Sequence, residues 1–129
     1  METKGGYKWD NKQILVVEDD ESSAFLLGVI LKETGARIDY TSDGEEAVAY
    51  MKEHPETDLI LMDIHLPEKD GFTATREIKA FANHVVVIAQ TAYAFSLDHQ
   101  QAVQAGCDAF FTKPLNPAAL LDKMDTFLA

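Results

Sequence analysis

Short apolar segments alternate with helix-like segments five times along the chain, and this alternation limits its possible folds more than any other feature. Apolar runs rich in β-branched residues predict strands, and apolar residues spaced three or four apart predict a helix after each one. The predicted strands are Gln13 to Val17, Arg37 to Tyr40, Asp58 to Met62, Val85 to Ala89 and Asp108 to Thr112. Such a pattern is typical of an α/β protein with a parallel sheet and helices on both faces.

The intervening helices have recognisable limits. They are predicted to run from Ser22 towards Gly35, from Gly44 to Glu53, from Phe72 to Phe81, from Ser96 to Ala105, and from Pro117 to about Phe127. In the first of them, four apolar residues recur at helical spacing, namely Phe25, Leu26, Val29 and Ile30. Five strand and helix units therefore use up the chain.

Length and composition favour a single folded domain. The 129 residues, of which 47% are hydrophobic and 26% charged, can bury a core that folds without disulfides. We assign residues 1–12 to an N-terminal tail or linker remnant and residues 13–129 to the domain. The tail lacks the apolar core of a signal peptide, and no apolar run approaches the roughly 20 residues that cross a bilayer. We therefore expect a cytoplasmic location without membrane insertion.

The acidic charge of the chain argues against one class of partner. The sequence holds 11 basic and 22 acidic residues, which gives a formal net charge of -11. Such a surface repels phosphate backbones and anionic lipid heads, so direct nucleic-acid binding is not expected. The single cysteine, Cys107, cannot form an internal disulfide, and we interpret it as a small buried apolar residue in a reducing compartment.

Polar residues collect where the predicted strands end. Glu18 and Asp19 follow the first strand, Asp63 the third, Thr91 the fourth and Lys113 the fifth. In a doubly wound sheet of order 2-1-3-4-5, ligands bind at the carboxyl ends of the strands, close to the point where the strand order reverses. The fold alone would therefore gather these side chains.

Three of these residues are carboxylates that would repel one another in a shared crevice. Glu18, Asp19 and Asp63 make sense together if a hard divalent cation neutralises them, and oxygen ligands favour Mg²⁺ as the cofactor. Asp20 and Asp58 fit a helix cap or a solvated loop better than a site.

Four segments carry a resemblance to a known family. They are Ile14-Leu15-Val16-Val17-Glu18-Asp19-Asp20, Leu61-Met62-Asp63-Ile64-His65-Leu66-Pro67, Gln90-Thr91-Ala92 and Thr112-Lys113-Pro114-Leu115. In this order, and at strand ends, they resemble the motifs of the receiver domain of two-component response regulators, which has a flavodoxin-like fold. The resemblance runs from about Gln13 to the C-terminus. The Ala-Gly-Cys-Asp-Ala run at positions 105–109 is similar to the corresponding segment of receivers fused to hybrid histidine kinases.

The resemblance implies a phosphoacceptor switch rather than an enzyme with a separate substrate. Asp63 would take a phosphoryl group from a phosphohistidine on a histidine kinase or a histidine phosphotransfer domain. Asp19 and Asp63 would bind Mg²⁺ directly. Glu18 would act through a metal-bound water, and the backbone carbonyl of His65 would supply a further ligand. The modified surface would then act on a downstream protein that the sequence does not identify.

Residues around the acceptor acquire roles from the same resemblance. Lys113 and Thr91 would contact the phosphoryl oxygens, and Ala92 would leave space beside them. The peptide bond from Lys113 to Pro114 is implied to be cis.

The resemblance also implies a switch. Thr91 would move when Asp63 is modified, and Phe110, which replaces the family's usual tyrosine, would turn inward with it. A plain core role for Phe110 is the competing interpretation. His65 and Tyr93 are large enough to hinder an attacking water, which predicts slow self-dephosphorylation.

Two other functions deserve comparison. A haloacid-dehalogenase-like phosphohydrolase also forms an aspartyl phosphate, but it carries a second aspartate two residues after the nucleophile, where this chain has His65, and it needs a substrate cap. A flavodoxin-like cofactor binder needs phosphate-cradling loops after the first strand, whereas the acidic run at positions 18–21 would repel a phosphate.

Overall fold

Five strands alternate with five helices in the computed structural model, which describes residues 7–91, 96–113 and 116–128. The elements are β1 (Gln13–Val17), α1 (Glu21–Lys32), β2 (Arg37–Thr41), α2 (Gly44–Glu53), β3 (Leu59–Asp63), α3 (Gly71–Phe81), β4 (Val86–Thr91), α4 (Ser96–Ala105), β5 (Ala109–Thr112) and α5 (Pro117–Leu128). The predicted alternation is confirmed. Ala92, Tyr93 and Pro114 lie outside the described residues, so their predicted roles stay predictions.

The strands form one parallel sheet in the order β2-β1-β3-β4-β5, as predicted. Its register aligns the carboxyl ends of the central strands: Val17 is paired with Met62, Asp63 with Gln90. The strand order reverses between β1 and β3, and doubly wound sheets bind ligands at the carboxyl ends of the strands beside that point.

Alternating side chains of the central strands supply two cores, one on each face of the sheet. Ile14 and Val16 of β1 pack with leucines of α1 and α5 on one face. Leu15 and Val17 point to the opposite face, where they meet residues of α2 and α3. Because both faces are covered, the strand is apolar at nearly every position, which explains its continuous apolar run.

The buried residues of α1 are not the ones whose helical spacing predicted the helix. Leu27 and Leu31 are buried, whereas Phe25 is 74% exposed and Leu26 and Val29 are each 53% exposed. The helix is apolar around most of its circumference, so spacing predicts the helix correctly without determining which side faces the core.

The segment before β1 packs closely against the domain. Trp9 is only 2% exposed and belongs to the core between the sheet and α5. Its indole Nε1 donates a hydrogen bond to Asp125 at 3.1 Å, and Tyr7 donates one to Asp122. The boundary between tail and domain at residue 13 stays a prediction. In the described residues, contacts between this segment and α5 extend back to Tyr7.

Side-chain caps mark the N-termini of four of the helices. Asp20, Asp43 and Asp70 each accept a hydrogen bond from a backbone N–H in the first turn of α1, α2 and α3. Asn116 caps α5 in the same way, with the N–H of Ala119 at 3.0 Å. The cap interpretation of Asp20 is therefore confirmed. None of the helices within the described ranges has the length and apolar character needed to span a bilayer.

Candidate functional site

Three carboxylates meet at the carboxyl edge of the sheet. Glu18 and Asp19 directly follow β1, and Asp63 is the last residue of β3. One ligand oxygen from each residue lies within 4.8 Å of the other two. Glu18 and Asp63 are buried while Asp19 is exposed, so the cluster opens to solvent on one side. The predicted convergence of these three residues is confirmed.

A lysine from the other end of the chain reaches this cluster. Lys113 directly follows β5, and its Nζ lies 3.0 Å from Oε1 of Glu18 and 3.7 Å from Oδ2 of Asp63. The backbone N–H of Lys113 donates to the carbonyl of Thr91 at 2.7 Å, which fixes the lysine to the end of β4. The predicted proximity of Lys113 to the acids is therefore also found.

Burial and charge shift the protonation of this pair. Burial raises the pKa of Glu18, and the negative charge of Asp63 raises it further, although the hydrogen bond from Lys113 opposes both effects. Burial of Lys113 by itself favours the neutral amine. The hydrogen bond to Glu18 and the surrounding carboxylate charges outweigh this effect and raise the lysine pKa. Among the described residues, three carboxylates thus face one lysine at this site.

The loop after β3 holds Asp63 by backbone contacts. The N–H of His65 donates to Oδ1 of Asp63 at 3.0 Å. Gly71, the first residue of α3, donates its N–H to the carbonyl of Ile64. A Cβ at Gly71 would lie 2.5 Å from the carbonyl oxygen of Asp63, so only glycine allows α3 to approach the site loop this closely.

A second polar group lies on the β4 side of the site. Thr91 is fully buried, and its hydroxyl donates to Oδ2 of Asp98 on α4 at 3.1 Å. The same carboxylate oxygen lies 3.5 Å from Nε2 of His65. Asp98 was not among the predicted site residues, because a carboxylate on a surface helix has no sequence pattern that separates it from a solvated residue.

Phe110 lies on β5 beside α4. It is partly buried, and its ring centroid lies 5.3 Å from that of His99. It packs with the small core cluster that contains Ala89 and Ala102. This packing fits both the switch and the core interpretation, so the role of Phe110 stays a prediction. Cys107 packs in the same region, and its partial burial agrees with an apolar role.

The donor set fits a hard divalent cation. The three side chains offer carboxylate oxygens, the ligands that Mg²⁺ prefers, and the exposed side at Asp19 leaves room for retained waters. A cation at this position would also balance the surplus negative charge that Lys113 leaves. Fold and site together define a flavodoxin-like α/β domain with an acidic, lysine-flanked cleft at its topological switch point.

The chain belongs to the response regulator receiver domain family, whose family model matches residues 14–125. It is 34% identical over 119 residues to the polar-differentiation response regulator DivK of Brucella ovis, covering 91% of this chain and 96% of that protein. This protein is thus a receiver domain of two-component systems, which leaves the phosphohydrolase and cofactor-binding alternatives without support.

Two solved structures illustrate the similarity. The receiver domain of the sensor histidine kinase PA1611 from Pseudomonas aeruginosa, with a magnesium ion coordinated in its active-site cleft, is 34% identical with a TM-score of 0.84, covering 91% of this chain and 97% of that one. The receiver domain of Ssk1, in complex with the phosphotransfer protein Ypd1 of Saccharomyces cerevisiae, is 29% identical with a TM-score of 0.85, covering 91% and 88%.

Proposed function

We propose that Asp63 is the phosphoacceptor of this receiver domain. The observation that carries the proposal is the position of its carboxylate, at the end of a central strand between two further acids and Lys113. In the transfer, a carboxylate oxygen of Asp63 attacks the phosphorus of a phosphohistidine and forms a P–O bond. The P–N bond breaks, and the imidazole nitrogen keeps its electron pair, so the product is an acyl phosphate.

The chain's own groups would hold Mg²⁺ and the transferred group. Asp19 and Asp63 would bind the ion directly, Glu18 through a water, and His65 through its backbone carbonyl. Bound Mg²⁺ supplies positive charge against the phosphoryl oxygens, the main requirement of a phosphoryl transfer that depends on positioning and charge neutralisation.

Residues at the ends of β4 and β5 would complete the phosphoryl site. Lys113, now 3.7 Å from Asp63, would pair with a phosphoryl oxygen as a compact cation. Thr91 would donate its hydroxyl to another oxygen, and Ala92 would leave space for the group. In this sense the domain assists its own phosphorylation and dephosphorylation. Movement of Thr91, followed by Phe110, would change the surface that a partner recognises.

The partner that donates the phosphoryl group would carry a phosphohistidine, as histidine kinases and histidine phosphotransfer domains do. The structural similarity to the Ssk1 receiver, which is bound to Ypd1, supports this class of donor. The charge of -11 supports a protein rather than a nucleic acid as the downstream target. We place this exchange in the cytoplasm, where the unpaired Cys107 would stay reduced.

Intact-protein mass after incubation with acetyl phosphate and Mg²⁺ tests the proposal. The expected result is one phosphoryl adduct in the wild type and in Asp70→Asn, whose aspartate caps α3 outside the cluster. Asp63→Asn and an EDTA-treated sample should show none. An adduct that persists in Asp63→Asn would assign the phosphoryl group to another residue and refute the proposal.

A further inference from the structure

The hydroxyl of Thr91 is already engaged in the absence of a phosphoryl group. It donates to Oδ2 of Asp98 at 3.1 Å, in a setting where Thr91 is fully buried and the Asp98 side chain is 16% exposed. A hydroxyl carries a single hydrogen, so it donates one strong hydrogen bond at a time. Donation to Asp98 and donation to a phosphoryl oxygen on Asp63 therefore exclude each other.

Asp98 also contacts the loop that follows the acceptor. Its Oδ2 lies 3.5 Å from Nε2 of His65, two residues after Asp63, as well as accepting the Thr91 hydrogen bond. One carboxylate of α4 thus joins the end of β4 to the loop after β3, the two segments that flank the acceptor. A charged acceptor makes this hydrogen bond stronger than one between neutral groups.

Charge also opposes a state in which Asp98 and a phosphoryl group on Asp63 share the Thr91 hydroxyl. The site already contains Glu18, Asp19 and Asp63, and in the described residues Lys113 is the lysine that contacts Glu18 and Asp63. A phosphoryl group on Asp63 adds further negative charge to this site, and carboxylate and phosphoryl oxygens can each only accept from Thr91. Two arrangements of Thr91 therefore compete, which is the property of a two-state element.

We propose that Asp98 is a positioning residue that retains the Thr91 hydroxyl on α4 in the resting domain and competes with the phosphoryl group for it. This inference rests on the proposed function, because it assumes that Thr91 contacts a phosphoryl group on Asp63. It adds to that function a residue on α4 that sets how much of the domain occupies the active state before and after phosphorylation. Weakening this hydrogen bond shifts the population towards the active arrangement.

Beryllofluoride, which mimics a phosphoryl group on a carboxylate, provides the probe. Its affinity in the presence of Mg²⁺ can be measured by ¹⁹F NMR for Asp98→Ala and Asp98→Asn. Both variants remove the negative charge, but only the alanine removes the acceptor, because the asparagine Oδ1 still accepts from Thr91. We expect Asp98→Ala to bind about fivefold more tightly than Asp98→Asn, the effect of one ordinary hydrogen bond.

The same pair in two Thr91 backgrounds identifies the donor. In Thr91→Ser, which keeps a hydroxyl, the difference between alanine and asparagine at position 98 should persist. In Thr91→Ala, which has none, it should disappear. Melting temperatures confirm that each variant folds, and Asp98→Leu is a second replacement without an acceptor should the alanine variant not fold.

The outcomes separate the two proposals. If the wild type shows no Mg²⁺-dependent binding of beryllofluoride, the proposed function fails and the retaining role fails with it. If the wild type binds but the alanine and asparagine variants bind equally, only the role of Asp98 is overturned, since charge alone then explains any change. A difference that remains in Thr91→Ala also overturns it, because the hydroxyl would not be the group retained.

Discussion

Nζ of Lys113 lies 3.0 Å from Oε1 of Glu18, so the two ends of the domain meet in one ion pair beside the acceptor. The Glu18 side chain is 1% exposed and that of Lys113 is 26% exposed. In the described residues this lysine is the cation that contacts Glu18 and Asp63, the same charges that a bound metal ion would compensate.

Replacing Lys113 should therefore strengthen Mg²⁺ binding while slowing phosphorylation. Lys113→Ala removes a positive charge that repels the ion at a distance of a few ångströms, and we expect roughly a tenfold gain in Mg²⁺ affinity. The phosphoryl oxygens lose a counter-charge, so modification by acetyl phosphate should slow. Titration of amide shifts by NMR measures the affinity, with Lys79→Ala, a lysine paired with Asp108 away from the site, as the control. An unchanged or weaker Mg²⁺ affinity would contradict the expected repulsion between Lys113 and the ion.

Two adjacent aspartates should differ in their effect on the metal. Asp19→Asn removes a charged ligand of the acidic cluster and should weaken Mg²⁺ binding about tenfold or more. Asp20→Asn should leave the affinity nearly unchanged, because Asp20 caps α1 through the N–H of Ser23 and asparagine caps equally well. Equal losses in both variants, measured by the same titration, would show that general negative charge rather than ligation attracts the ion.

The strand ends, and hence most of the site, follow from the sequence for a simple physical reason. Apolar runs that must be buried on both faces stop where charged residues begin, so Glu18, Asp63 and Lys113 mark the carboxyl edge of a parallel sheet. Positions on helices are harder to predict. Asp98 lies seven residues after Thr91 on a different element, and only the packing of α4 brings the two into hydrogen-bond contact.

Burial of the N-terminal aromatics and the orientation of α1 were also beyond sequence reasoning. Trp9 stands in a polar segment without periodicity, yet it fills the space against α5 and bonds to Asp125. On α1, Phe25 is more exposed than Leu27 although both are apolar, because the helix offers apolar residues on several sides. Local pattern predicts the element, whereas the fit of distant elements decides its buried face.

The buried amide of Gln90 should lower the stability of the domain relative to an apolar side chain of similar volume. Its side chain is fully buried on β4, and both polar atoms of its amide lack a hydrogen-bond partner among the described residues. Gln90→Met removes the desolvated amide at similar volume, so we expect the free energy of unfolding to rise by about 1–3 kcal/mol. Gln104→Met, at an exposed position of α4, should change it by less than about 0.5 kcal/mol. Denaturant unfolding measures both, and a destabilised Gln90→Met would show that the amide is satisfied in solution.

Cys107 should react slowly in the folded domain. Burial raises the pKa of its thiol from 9.0 to about 11, with the charge of Asp108 adding to the effect. The thiolate fraction at pH 8 then falls roughly a hundredfold below that of an unfolded chain. Alkylation by iodoacetamide, followed by intact mass, should be slower by at least that factor in native protein than in guanidinium-unfolded protein. Equal rates would contradict the burial of the thiol.

The same shift predicts a loss of stability in alkali. Because the folded-state pKa of Cys107 lies above the unfolded value, the protonated thiol contributes stability that is present below pH 9 and is lost as the pH rises through 11. Cys107→Ala lacks this contribution, so its stability should fall less than that of the wild type over this interval. Unfolding curves at pH 8 and 11 provide the comparison, and parallel losses would contradict it.

The most direct test of the central claim is to identify the modified atom. An aspartyl phosphate is an acyl phosphate, which borohydride reduces to homoserine. Reduction after phosphorylation by acetyl phosphate in the presence of Mg²⁺ therefore marks the acceptor permanently. Peptide mapping by mass spectrometry should find homoserine at position 63 and unmodified carboxylates at Glu18 and Asp19. Homoserine at another position, or a phosphoryl adduct that leaves Asp63 unreduced, would contradict the assignment of Asp63 as the phosphoacceptor.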